Sequence, residues 1–163
     1  MATRGVLYVH SCPPAVCPHV EWALAGVLGT RVSLDWIAQP ASPGSLRTEC
    51  CWGGAPGTGA RLAAALRQWP MLRFEVTEDA SAEGDGERLQ YVPGRGAHRA
   101  MVSANGDLVV GELQLRALRA QCATAEELVH QIDRLLGSDW DTDLEAYRYA
   151  GEGAPVTWLH EVG

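Results

Sequence analysis

Apolar and polar positions along the chain alternate, or recur at a helical period, in an order that defines successive elements. Val6 to His10 is a short β-branched and aromatic run in which Leu7 and Val9 face one side and Val6, Tyr8 and His10 the other. Three prolines then interrupt the pattern between Ser11 and Pro18. Pro18 suits the first position of a helix, which makes Cys17 its expected N-cap, and Val20, Leu24, Val27 and Leu28 follow at helical spacing up to Gly29. Arg31 to Gln39 alternates, and so does Leu46 to Trp52 beyond a Pro-Ala-Ser-Pro-Gly turn at 40–44. A glycine-rich stretch at 53–59 leads into a helix from Ala60 to Trp69, with Leu62, Ala63, Leu66 and Trp69 on its apolar line. Met71 to Thr77 is a further strand, with Leu72, Phe74 and Val76 inward.

The resulting β-α-β-β-α-β order over residues 5–78 is the split β-α-β pattern of ferredoxin-like folds, with both helices on one sheet face and the first strand in mid-sheet. An acidic loop at 79–86 follows. Leu89 to Pro93, His98 to Ser103 and Leu108 to Leu113 read as added strands, the last two joined by an Asn105-Gly106 hairpin turn. Thr124 to Glu127 is a capping box ahead of Leu128, Val129, Ile132, Leu135 and Leu136, with Gly137 as the stop signal. A second helix is expected from Ser138, and Val156 to Val162 has the character of a strand that needs an edge to pair with. The expected fold is therefore a single α+β domain over residues 1–163. It has a ferredoxin-like core at 5–78 and an extension at 87–163 packed on it, made of a β-hairpin, one or two helices and a final strand. Such an extension is placed to cover the sheet face that the core helices leave open.

Composition narrows the function classes. The 163 residues suffice to bury a core without staples. All 13 basic residues are arginine, so Schiff-base lysines and the P-loop lysine are excluded. A net charge of −7 opposes generic nucleic-acid binding, which needs concentrated positive charge. No secretory pattern opens the chain and no apolar run approaches the about 20 residues of a membrane span, so a cytoplasmic protein without a membrane partner is expected. Five cysteines, an odd number, are then expected to be reduced.

Candidate ligands crowd only at the first corner, where His10, Cys12, Cys17 and His19 are spaced H-x-C-x4-C-x-H. Imidazole and thiolate suit zinc, but this spacing is unusual and Pro13 and Pro14 restrict closure, so no metal is expected and these four are the ligands if one binds. At an N-cap, the Cys17 sulfur would meet free N–H groups and the positive end of the helix dipole, which favours thiolate. That makes Cys17 the candidate nucleophile, with His19 beside it and Cys12 as a resolving thiol; the plainer reading is a cysteine that caps or packs. Gly54 to Gly59 gives G-x4-G, but Ala60 and Arg61 replace the Lys-Ser/Thr pair of a P-loop, and Leu62 replaces the third glycine of a dinucleotide fingerprint. A helix N-terminus remains, with Gly57, Thr58, Gly59 and Arg61 as a candidate anion site. Asp139, Asp141 and Asp143 do not open a calcium loop, since Leu144 and Ala150 occupy its glycine and glutamate positions. Of the six tryptophans, Trp36, Trp52 and Trp69 fall on inward positions, whereas Trp22 lies off its helix stripe and is the candidate interface anchor. No cofactor is expected.

Four stretches carry a resemblance: GVLYVHSCPPAVCPHVEWAL at 5–24, GTGARLAAALRQWPMLRFEVTED at 57–79, SANGDLVVGE at 103–112 and VTWL at 156–159. On these the chain resembles a family of actinobacterial proteins of about this length, a domain of unknown function. The resemblance implies an actinobacterial cytosolic protein, with acetyl-CoA and fatty-acid metabolism as the setting, and transfers no activity or catalytic residue. Together these readings predict a non-enzymatic binding or regulatory protein that engages a protein partner or a small anionic ligand. The alternative is a small thiol- or metal-dependent enzyme centred on Cys17 and His19.

Overall fold

The computed structural model describes residues 2–150 and 156–160. The first half runs β1 (Thr3–Cys12), α1 (Cys17–Leu28), β2 (Ile37–Ala38), β3 (Leu46–Gly54), α2 (Thr58–Leu66) and β4 (Arg73–Glu78). The second runs β5 (Gly86–Val92), β6 (Gly96–Val102), β7 (Leu108–Val109), α3 (Glu112–Gln121), α4 (Ala125–Leu136), α5 (Ser138–Tyr149) and β8 (Val156–His160). Seven strands form one antiparallel sheet in the order β2-β3-β1-β4-β5-β6-β7. β8 adds in parallel to the outer edge of β3, opposite Glu49 to Gly53, while β2 takes Leu46 and Arg47 on that edge. β1 thus lies between β3 and β4, the mid-sheet position that right-handed crossovers require.

Alternation along the strands creates two faces of different chemistry. On the first, Leu7, Val9, Cys50, Trp52, Phe74 and Val76 meet Val20, Leu24 and Leu28 of α1 and Leu62 and Leu66 of α2 in one core cluster. Each such side chain contributes about 2 kcal/mol by leaving water. Phe74 and Tyr91, cross-strand neighbours on β4 and β5, stack with centroids 5.3 Å apart. The second face is crossed by α5, whose Trp140 and Leu144 pack with Val92. Gly137, at φ +76°, both ends α4 and opens α5, a left-handed conformation that favours glycine.

Three elements differ from expectation. Between Arg31 and Gln39 only Ile37–Ala38 pairs as strand; Val32 and Leu34 are buried as the alternation requires, but Glu21 of α1 accepts the Leu34 N–H (2.9 Å) and the Trp36 indole N–H (3.0 Å). A helix carboxylate stands where a neighbouring strand was expected. The strand placed at Leu108 to Leu113 ends at Val109, because Gln114 Oε1 takes the Gly111 N–H (3.0 Å) and starts α3, so Leu113 is helical. Among the described residues the extension consequently carries three helices rather than one or two. The capped helix and its successor are as expected: Thr124 Oγ1 accepts from the Glu127 N–H (3.1 Å), and Ser138 opens α5. Residues 161 and 162 of the last expected strand lie outside the described residues.

Candidate functional site

The proline corner begins its helical turn before Pro18. Val16 is already helical (φ −93°, ψ −20°), its N–H donating to the Pro13 carbonyl (2.9 Å), so Cys17 is the first residue of α1 rather than its cap. Spacing then aligns Cys17 with Val20, Leu24 and Leu28, the stripe that faces the sheet. Cys17 is 5% exposed, and its thiol lies 3.6 Å from Cys12 Sγ and donates to the Pro13 carbonyl at 3.5 Å. Burial pushes both thiols up, which is opposite to the thiolate expected of an N-cap. His19 lies on the helix surface with its ring 6.2 Å from that of Trp69, and His10 lies on the other sheet face. The four expected ligands therefore do not converge, and among the described residues no three His, Cys, Asp or Glu side chains form a metal-ligand group. A thiol reagent at neutral pH is expected to reach half-exposed Cys122 well before Cys12 and Cys17, with that pair labelled at less than about a tenth of its rate in denaturant. Equal rates in folded and unfolded protein would contradict the packing.

A polar row crosses the second face in strand register: Glu49, Tyr8, Glu75, Gln90 and His98 on β3, β1, β4, β5 and β6. Its centre is Glu75, 5% exposed. One carboxylate oxygen accepts from His10 Nε2 (2.7 Å) and Arg148 Nε (2.8 Å); the other accepts from Arg148 Nη2 and Gln90 Nε2 (3.2 Å). Burial alone would push this carboxyl up, but the donors from Arg148 and His10 outweigh it and hold it at about 2. Arg148 also reaches Asp141 Oδ1 (2.9 Å), which Gln90 Nε2 meets at 2.8 Å. His98 bridges Gln90 Oε1 (Nδ1, 3.2 Å) and the Leu135 carbonyl at the end of α4 (Nε2, 2.9 Å). These groups bind α5 and the end of α4 to the sheet. Two buried nitrogens of the network lack a partner among the described residues: His10 Nδ1, whose ring stacks on Tyr8, and Nε of Arg88, whose Nη2 donates to Asp141 (3.4 Å).

The start of α2 is occupied from within. Glu78 accepts the Gly57 N–H through Oε1 and the Gly59 N–H through Oε2, both at 2.8 Å, and Arg61 Nη2 donates to Thr58 Oγ1 (2.7 Å). Glu78, Asp79, Glu83, Asp85 and Glu87 line the adjoining cleft of about 190 Å³, with Arg99 as its cation, paired to Glu87. An external anion at Gly57, Thr58, Gly59 and Arg61 would have to displace one carboxylate and approach four more. Trp22 is 78% exposed on α1. It sits one turn from His19, which packs on half-buried Trp69.

A family profile described as "Protein of unknown function (DUF3145)" matches residues 6–161. The chain belongs to the DUF3145 family. No curated protein and no solved structure matches the chain. Family membership thus supplies no activity for the residues above. In this DUF3145 chain, the sequence reading placed Tyr8 and His10 on the second face but missed Glu75, Gln90, His98 and Arg148 as their partners. The available signal was polar residues at strand positions facing away from the core stripe; what was lacking was the register that brings them into one row.

Proposed function

We propose that this chain is a non-enzymatic binding protein of the actinobacterial cytosol that engages a protein partner through the aromatic surface of α1. The observation that carries this reading is the exposure of Trp22 beside His19 and Trp69. Glu21 is the sole charged residue of α1, and its carboxylate is turned to Leu34 and Trp36. The surface formed by Pro18, His19, Trp22 and Gly26 therefore carries no carboxylate or guanidinium of that helix. Exposed apolar surface of this kind marks interaction sites, and tryptophan is enriched among the residues that dominate binding energy. A partner from acetyl-CoA or fatty-acid metabolism fits the setting that the family resemblance implies. Cys17, buried and with its thiol pushed up by that burial, lends no support to a thiol enzyme.

Tagged wild-type and Trp22→Ala proteins, incubated in parallel with host extract, test the reading. The wild type is expected to retain a stoichiometric partner, and the variant to lose it by at least about 10-fold while melting at the wild-type temperature. The same captured protein in equal amount with both baits would contradict it.

A further inference from the structure

Helices α3 and α4, 10 and 12 residues long, contain no buried residue. Leu113 is 80% exposed and Val129 59%, although both helices have well-defined starts at Gly111 and Thr124. Helices this short are marginal in water and depend on packing of an apolar stripe. That stripe is present on α4 as Leu128, Val129, Ile132, Leu135 and Leu136 at spacings of three and four.

We propose that α3 and α4 pack on α4 and α3 of a second copy of this chain, in a two-fold four-helix interface. Charge selects this occupant and this arrangement. α3 carries Arg116 and Arg119 against one Glu112, whereas α4 carries Glu126, Glu127 and Asp133 against one Arg134. Arg116 is engaged with Glu112 in its own helix, which leaves Arg119 as the outward cation of α3. Packing α3 on its own copy offers Arg119 no carboxylate except Glu112, which Arg116 already holds. Exchanging α3 with α4 of the second copy sets arginine against carboxylate at both symmetry-related contacts, the self-complementarity that a two-fold interface requires. A groove of about 230 Å³ beside α3, with Met101, Leu108, Val109, Val110 and Leu135 as its apolar lining and Arg99 and Gln114 as its polar lining, offers a recess for a leucine of the facing copy. This surface involves neither α1 nor Trp22, so its fate is independent of the partner reading above.

The test is the solution mass of the full chain by light scattering at about 50 μM. Twice 17.5 kDa is expected. Leu113→Glu with Val129→Glu should weaken association by at least about 100-fold and, since both side chains are exposed and outside the core, leave the near-ultraviolet circular dichroism of the tryptophan-bearing core unchanged. Arg119→Glu and Asp133→Arg should each weaken self-association alone, and an equimolar mixture of the two should dimerise again, because each helix pair then faces opposite charge. A monomeric wild type, a dimer indifferent to Leu113→Glu with Val129→Glu, or a charge-swapped mixture that stays monomeric would each overturn the proposal.

Discussion

Gly5→Ala is expected to be the most damaging single-methyl change in the molecule, costing at least about 4 kcal/mol, a large part of a typical domain's stability. Gly5 pairs with Trp52 on β3 and Glu78 on β4, in the strand that both neighbours need. A Cβ there would lie 1.7 Å from the Thr77 carbonyl oxygen and 2.6 Å from the Trp52 ring. The oxygen belongs to backbone held in the sheet, so relief requires β1 and β4 to separate. Gly26→Ala is the matched control: on exposed α1 surface its Cβ meets nothing within 4 Å, and a better helix former should stabilise by about 1 kcal/mol. Urea midpoints of the two variants should therefore move in opposite directions. A Gly5→Ala midpoint near wild type would mean that the β1–β4 approach is wrong.

Glu75→Gln is expected to cost about 3 kcal/mol, because it removes the charge that compensates half-buried Arg148 and accepts from His10. The same carboxylate sets the acid response. Its pKa lies at about 2 in the folded chain against 4.5 as a reference, so the unfolded chain binds the proton first as pH falls. Stabilisation from this group is complete above about pH 4.5 and is lost as pH drops through about 2, a difference on the order of 3 kcal/mol. Urea titrations at pH 7, 4 and 3 should show wild type converging on Glu75→Gln as pH falls. Arg148→Gln combined with Glu75→Gln should cost no more than the worse single change. A constant gap between wild type and Glu75→Gln down to pH 3 would contradict the network.

The core was legible in the sequence where burial follows a period. Leu7 and Val9, Leu62 and Leu66, and Phe74 and Val76 lie where alternation and helical spacing put them, and the mid-sheet place of β1 follows from chain order. Features decided by one side-chain hydrogen bond were not legible: Glu21 taking the Leu34 N–H, Gln114 starting α3, and Glu78 closing the start of α2. Cys17 was misplaced by a single residue. Pro18 fits more than one position of a first turn, and the shift from cap to first helical residue turns the sulfur from the helix end into the core. Trp22 is exposed, in keeping with its place off the apolar stripe of α1. The Glu75 network required the register of five strands and the docking of α5, which no local pattern encodes.

Buried thiols at the corner, a carboxylate in the anion cradle and a helix over the second sheet face leave the exposed apolar residues of α1, α3 and α4 as those on which the two proposed contacts rest. Among the described residues no helix is long and apolar enough to cross a membrane. The most direct measurement is site-specific photocrosslinking in host cells, with a benzophenone amino acid at exposed position 26, one turn from Trp22, and, as a control, at exposed position 31. Binding through α1 predicts one dominant protein adduct from position 26 and none of that mass from position 31. Equal adducts at both positions, or none at 26 in cells where the chain is abundant, would contradict it.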